Sequence, residues 1–155
     1  SRGLGDVYKR QIYVTGKLGK AKQGLNDWLN KKDSVYCNDY LRPKPQFQKA
    51  KELSDFATSC IDISDGLIKD LGDICKQSNV GAELCYENIP ILYDQKDLTH
   101  GDDYQLCFTA PSHLDDQLRS QGFFFIGKII QNLDLIVKKD GSEVTFEKNG
   151  WDPFE

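Results

Sequence analysis

The passage from Ser59 to Ser78 constrains this chain more than any other. A β-rich run, Ser59 to Ile63, gives way without a linker to Leu67, Leu71, Ile74 and Cys75, spaced i, i+4, i+7 and i+8. That spacing predicts an amphipathic helix over residues 66–78, directly behind a strand. Asp62, Ser64 and Asp65 sit at the junction. A strand end that hands two carboxylates and a hydroxyl to a helix N-terminus can hold a divalent metal and the phosphates bound to it. Hard oxygen donors suit Mg²⁺, which takes one or two carboxylates alongside phosphate oxygens. The same residues also suit a plain helix start, with Ser64 or Asp65 as the cap.

Around this junction the chain alternates between patterns. Ile12 to Thr15 reads as a short strand ending at Gly16, and Gly16-Lys17-Leu18-Gly19 leads into a helix from Ala21 to Asn30 with Leu25, Trp28 and Leu29 on one face. Tyr40 to Pro45 reads as a proline-bearing connector, because each proline disfavours helix in the residue before it. Phe47, Ala50, Leu53 and Ala57 make a second helical stripe. Strands are expected at Gly81–Tyr86, Tyr104–Thr109, Phe123–Ile130 and Leu133–Val137. A polar loop is expected from Pro90 to Gly101, a short helix from His113 to Ser120, and a turn at Asp140-Gly141 into Glu143–Phe146. The expected fold class is α+β, a mixed sheet packed with helices.

At 155 residues, 39% apolar and 28% charged, the chain is long enough for one domain with its own core. No apolar stretch approaches the roughly 20 residues needed to span a bilayer. Five cysteines, odd in number and never spaced C-x-x-C, do not read as a disulfide framework or a zinc site, so a reduced cytoplasmic setting is the expectation. Residues 1–51 carry 12 Lys/Arg against 4 Asp/Glu, and the remainder 8 against 20. The basic residues are scattered, without an interleaved aromatic or Arg-rich pattern, which argues against a nucleic-acid partner. Nothing points to a membrane.

Residues 1–11 show no periodicity. Asp6 to Gln11 can be encoded by GAT-GTG-TAT-AAG-AGA-CAG, which resembles a transposon mosaic end used to prepare sequencing libraries. The expectation is a non-native, adapter-encoded leader over 1–11 and native sequence over 12–155.

Five motifs then fall in a recognisable order: Val14-Thr15-Gly16-Lys17-Leu18-Gly19, Leu41-Arg42-Pro43-Lys44-Pro45, Ile61-Asp62-Ile63-Ser64-Asp65-Gly66-Leu67, Gly101-Asp102-Asp103-Tyr104-Gln105-Leu106 and Gly150-Trp151-Asp152. Together they resemble the C-terminal half of the thiamine-monophosphate kinase family, within the aminoimidazole-ribonucleotide-synthetase-like superfamily. The resemblance implies ATP- and Mg²⁺-dependent phosphorylation of thiamine monophosphate to thiamine diphosphate. It implies that Asp62 and Asp65 ligate magnesium, that Ser64 contacts ATP, and that Asp102 and Trp151 contact the thiamine moiety. No catalytic base or covalent nucleophile is expected, because the attacking phosphate oxygen is already ionised at neutral pH.

The resemblance also marks departures. Asp102 stands where the family carries Glu, one methylene longer, and Lys17 and Lys20 stand where small or acidic residues are expected. The Pro90–Gly101 loop is shorter than the family usually shows. An N-terminal domain, which in this family shares the site and forms a homodimer, has no counterpart in these residues, so the chain alone is expected to be inactive. The alternatives are a non-enzymatic thiamine-phosphate-binding module, or a sister enzyme of the superfamily such as a cyclo-ligase or selenophosphate synthetase.

Overall fold

A computed structural model of the chain describes residues 7–150. Its frame is a seven-stranded mixed sheet with five α-helices. In chain order these are β1 (Arg10–Val14), α1 (Lys20–Leu29), α2 (Val35–Leu41), α3 (Phe47–Leu53), β2 (Ser59–Asp62), α4 (Leu67–Gln77), β3 (Gly81–Cys85), β4 (Leu106–Pro111), α5 (Asp115–Ser120), β5 (Phe124–Ile130), β6 (Leu135–Lys139) and β7 (Ser142–Glu143). The strands lie in the order β2-β4-β1-β5-β3-β6-β7. All neighbours are antiparallel except β3 and β6. The α+β class expected from the sequence is the one observed.

Alternation along the central strands builds a core on each face of the sheet. Ile12 and Val14 of β1 point to one face, where Leu67, Leu71 and Cys75 of α4 cover them, while Tyr13 points to the other with Phe108, Leu118 and Phe123. Tyr13 stacks on Phe108 at 5.3 Å between ring centroids. In β5 the pairing skips Ile126: Ile12 pairs with Gly127 and Tyr13 with Phe125. This bulge turns Ile126 and Ile129 to the same core, although they are three residues apart.

The strand at Ile12 begins two residues earlier than the sequence suggested. Arg10 and Gln11, within the segment read as a leader, pair with Pro111 and Ala110. The helix at 20–29 also forms, but with a different inner face. Ala21, Gly24 and Asp27 are buried, whereas Trp28 and Leu29 are 51% and 65% exposed. The reason is the unexpected helix α2. It packs against α1 so tightly that a Cβ on Gly24 would lie 2.8 Å from the Tyr36 carbonyl carbon. Asp27 joins the hairpin by accepting from Ser34 Oγ at 2.6 Å and Gln23 Nε2 at 2.8 Å. The stripe expected for α3 reduces to Leu53, and Phe47 is 79% exposed.

The Asp140-Gly141 turn forms as read, both residues at positive φ (49° and 78°), the geometry of a two-residue hairpin. Among the described residues no helix is long and apolar enough to cross a membrane.

Candidate functional site

Strand β2 ends at Asp62, and its backbone continues beside the segment that precedes β4. Ile63 N–H donates to Gln105 C=O (2.8 Å), Tyr104 N–H to Ile63 C=O (2.9 Å) and Asp102 N–H to Ser64 C=O (2.8 Å). These bonds lay the 101–105 segment along the acidic junction. Gly101 is required there, since a Cβ would collide with the Ser64 carbonyl oxygen. Ser64, Asp65, His100, Gly101, Asp102 and Tyr104 line a cleft of about 180 Å³. The structure therefore brings together three residues singled out from sequence, Ser64, Asp65 and Asp102. Asp62 is exposed at the strand end beside them. Burial, followed by the charges of Asp102, Asp62 and Asp65, raises the Tyr104 phenol above its ordinary pKa. All three carboxylates thus act on one hydroxyl. Trp151 lies outside the described residues; Gly150, to which it is bonded, rests 2.9 Å (from a notional Cβ) from the Asp65 carbonyl oxygen.

The junction is not an ordinary helix cap. Gly66 occupies the cap position of α4 at φ 125°, and neither Ser64 nor Asp65 caps the helix through its side chain. The anchoring acid is instead Asp70, one turn inside the helix. Its Oδ2 accepts from the N–H groups of Ser64 (2.9 Å), Asp65 (2.9 Å) and Gly66 (3.2 Å). Burial raises the pKa of Asp70, and these N–H bonds oppose the rise. The loop's inward donors are thus spent on Asp70, while the Asp65 carboxylate remains at the cleft, paired with Lys69. Sequence reasoning missed Asp70. The signal available was an acid four residues after Gly66, on the face otherwise occupied by Leu67 and Leu71.

The Pro90–Gly101 loop proves to be built rather than merely polar. Leu18 N–H donates to Pro90 C=O (2.8 Å) and Leu92 N–H to Leu18 C=O (3.0 Å). Buried Asp97 accepts from the N–H groups of Leu92 (3.0 Å) and Tyr93 (2.7 Å) and pairs with Lys22 at 2.5 Å. Gly19, at φ 94°, lies so close to the Asp97 carboxylate that no side chain fits between them. These contacts tie the loop to the start of α1 and so fix His100 and Gly101. His100 lines the acidic cleft and also a larger one, about 820 Å³, walled by Lys22, Lys96, Thr99 and the 145–150 tail. Burial, then the Lys22 charge, lowers the His100 pKa, which keeps the imidazole neutral near pH 7.

Where the Gly16–Gly19 turn meets α1, backbone N–H groups face a carboxylate of the protein itself. Asp103 accepts from Gly19 N–H (2.8 Å) and Ala21 N–H (3.2 Å) at the N-terminus of α1. Burial pushes its pKa up to about 6, against those two bonds.

Among the described residues, no three His, Cys, Asp or Glu side chains form a cage for a metal ion. Asp62, exposed at the strand end, and Asp65, ion-paired with Lys69 at the cleft, are oxygen donors of the kind that fits Mg²⁺ completed by phosphate oxygens rather than an all-protein site.

No profile of a known protein family matches the chain. The thiamine-monophosphate kinase of Escherichia coli O157:H7 is 36% identical over 168 residues, covering 92% of this chain and 52% of the relative. The crystal structure of thiamine-monophosphate kinase from Stenotrophomonas maltophilia K279a superposes with a TM-score of 0.75 at 30% identity, over 86% of this chain and 51% of that one. AaThiL complexed with AMPPCP and TMP gives a TM-score of 0.79 at 27% identity, over 94% and 52%. The chain spans about half the length of the curated relatives it matches. In sequence and in its aminoimidazole-ribonucleotide-synthetase-like fold, the chain is similar to about half of these thiamine-monophosphate kinases.

Proposed function

We propose that the protein carrying this chain transfers the γ-phosphoryl group of ATP to the phosphate of thiamine monophosphate, giving ADP and thiamine diphosphate. The observation that carries this reading is the cleft where Ser64, Asp65 and Asp102 meet beside Asp62. A relative's structure complexed with AMPPCP and TMP supports the choice of ligands. A bond forms between a thiamine monophosphate oxygen and Pγ, while the bond from Pγ to the β-phosphate oxygen breaks. The nucleophile is already an anion, so the protein's tasks are alignment and charge neutralisation rather than proton removal.

Asp62 and Asp65 would hold Mg²⁺, which, when bound, neutralises the crowded phosphate oxygens. Lys69, ion-paired with Asp65, offsets that carboxylate's charge until a cation displaces it. Ser64 would contact the nucleotide. Asp102 would face the cationic thiazolium or the aminopyrimidine, and Trp151 would stack on a thiamine ring. Asp70 keeps the 64–66 backbone in the shape that presents these groups.

On this reading residues 12–155 are the C-terminal domain of the enzyme, and these residues by themselves are inactive because the family's site is completed by an N-terminal domain. A coupled assay of thiamine diphosphate formation tests both parts. The chain alone should give no turnover, and the chain joined to an N-terminal half of the family should give Mg²⁺-dependent turnover. Turnover by the chain alone would overturn the inactivity. Calorimetric binding of thiamine monophosphate and Mg-ATP without turnover in the joined protein would overturn the kinase reading.

A further inference from the structure

The 102–105 segment serves two pockets, and only one belongs to the site above. Asp102 and Tyr104 line the acidic cleft, whereas Asp103 and Gln105 line a separate pocket of about 280 Å³ between the start of α1 and the connector after α2. Lys17, Lys20 and Lys44 line this second pocket. None of their ammonium groups has an ion-pair or hydrogen-bond partner among the described residues, in contrast to Lys22 and Lys69.

Three unpaired ammonium groups around one concavity repel one another, and an anion between them relieves that repulsion. Two carboxylates also face the pocket, Asp39 and Asp103. The Asp103 charge is already committed to the Gly19 and Ala21 N–H groups, so it offsets the lysines only in part. Lysine binds phosphate as a mobile point charge, and three of them suit an anion whose charge is spread over several oxygens. The space is large enough for a diphosphate.

We propose that the Lys17–Lys20–Lys44 pocket is a metal-independent binding site for a diphosphate group, distinct from the Asp62–Asp65 cleft. The group could be free pyrophosphate or the diphosphate end of an organic ligand, since the recognised chemistry is the same.

Calorimetric titration of the chain with pyrophosphate, in physiological salt with EDTA present, tests this. The expected result is saturable one-to-one binding, tighter than for orthophosphate. Lys20→Gln and Lys44→Gln should each weaken it about tenfold, the ratio expected for one lost charge-assisted contact. Lys96→Gln in the larger cleft and Asp62→Asn at the acidic junction should leave it unchanged. Parallel titrations with ADP and thiamine diphosphate identify the source. Equal affinities mean that the diphosphate alone is read, a preference names the organic ligand, and either pattern supports the site if the lysine dependence holds. Absence of saturable binding, or binding unaffected by Lys20→Gln and Lys44→Gln, would overturn the proposal. Because metal is excluded and Asp62→Asn is a control, failure here is distinguishable from failure of the kinase reading.

Discussion

Asp102 and Asp103 are adjacent in sequence and face opposite sides of one backbone. Asp102 lines the acidic cleft with Ser64 and Asp65, while Asp103 turns to the N-terminus of α1 and accepts from Gly19 N–H at 2.8 Å. Asp102 adopts a left-handed φ of 67°, which lets the segment cross between the two sites within a single residue step. The pair therefore splits its labour: one carboxylate is exposed at the cleft, and the other locks the turn that carries α1.

That split gives the fold a specific pH dependence. The Asp103 pKa rises from 3.8 to about 6 on folding, so between those values the folded chain retains a proton that the unfolded chain has released. Its contribution to stability is therefore greatest below about pH 4 and is lost as pH rises through about 6, by at most about 3 kcal/mol. Asp103→Asn should remove this loss. Urea midpoints measured from pH 4 to 7 should fall more steeply for the parent chain than for the variant. Parallel curves would show that Asp103 does not titrate in this way.

Asp70 should matter to stability more than its position on a helix suggests. Asp70→Ala leaves three N–H groups without an acceptor, in a setting where the residue is only 6% exposed. A loss of about 2–4 kcal/mol is expected from unsatisfied donors of this kind. Asp73→Ala, on the same helix but paired only with Lys76 at 3.8 Å, should change little. Equal denaturation midpoints for the two variants would contradict the anchoring role.

These two acids show where sequence reading succeeds and where it stops. The strand–helix junction at Asp62–Leu67 was legible because period-2 and period-3.6 patterns meet there, and the hairpin at Asp140-Gly141 because its turn chemistry is local. Asp70 and Asp103 were not legible as anchors. Their partners are backbone N–H groups, which leave no trace in residue identity, and for Asp103 those groups lie 82 and 84 positions away. The inner face of α1 was misread for a related reason. Trp28 and Leu29 look like core, but the unforeseen helix α2 takes Gly24 as its contact and leaves them outside.

That contact predicts a sharp steric effect. Gly24→Ala would place a Cβ 2.9 Å from Tyr40 Cβ and closer still to the Tyr36 carbonyl, so the α1–α2 hairpin must part. Overpacking at such a site costs about 1–3 kcal/mol. The loss should appear in thermal unfolding and in faster amide exchange within α2. An unchanged melting curve would mean that the hairpin yields freely.

Lys69 competes with any cation for Asp65. The pair is partly exposed, so its removal should barely move stability. It should, however, leave the carboxylate unopposed and remove a positive charge beside the cleft. Lys69→Ala is therefore expected to tighten Mn²⁺ binding a few-fold, read as loss of the free-ion paramagnetic resonance signal. Weaker binding in the variant would show that Lys69 orients Asp65 for the metal rather than shielding it.

Asp62 separates chemistry from folding most cleanly. It is exposed at the end of β2, and no hydrogen bond or ion pair from its side chain is seen among the described residues, so Asp62→Asn should leave the melting temperature nearly unchanged. The same exposure leaves the carboxylate free to act as the proposed metal ligand, and losing its charge would weaken a hold on metal and phosphate together. In a protein that joins this chain to an N-terminal half of the family, the variant should lose turnover by on the order of a hundredfold, the scale of removing one preorganised electrostatic group. Raising Mg²⁺ should recover part of that loss if the defect lies in metal affinity, and Asp62→Glu should recover more than Asp62→Asn. Parent-like turnover in Asp62→Asn would remove Asp62 from the proposed metal site.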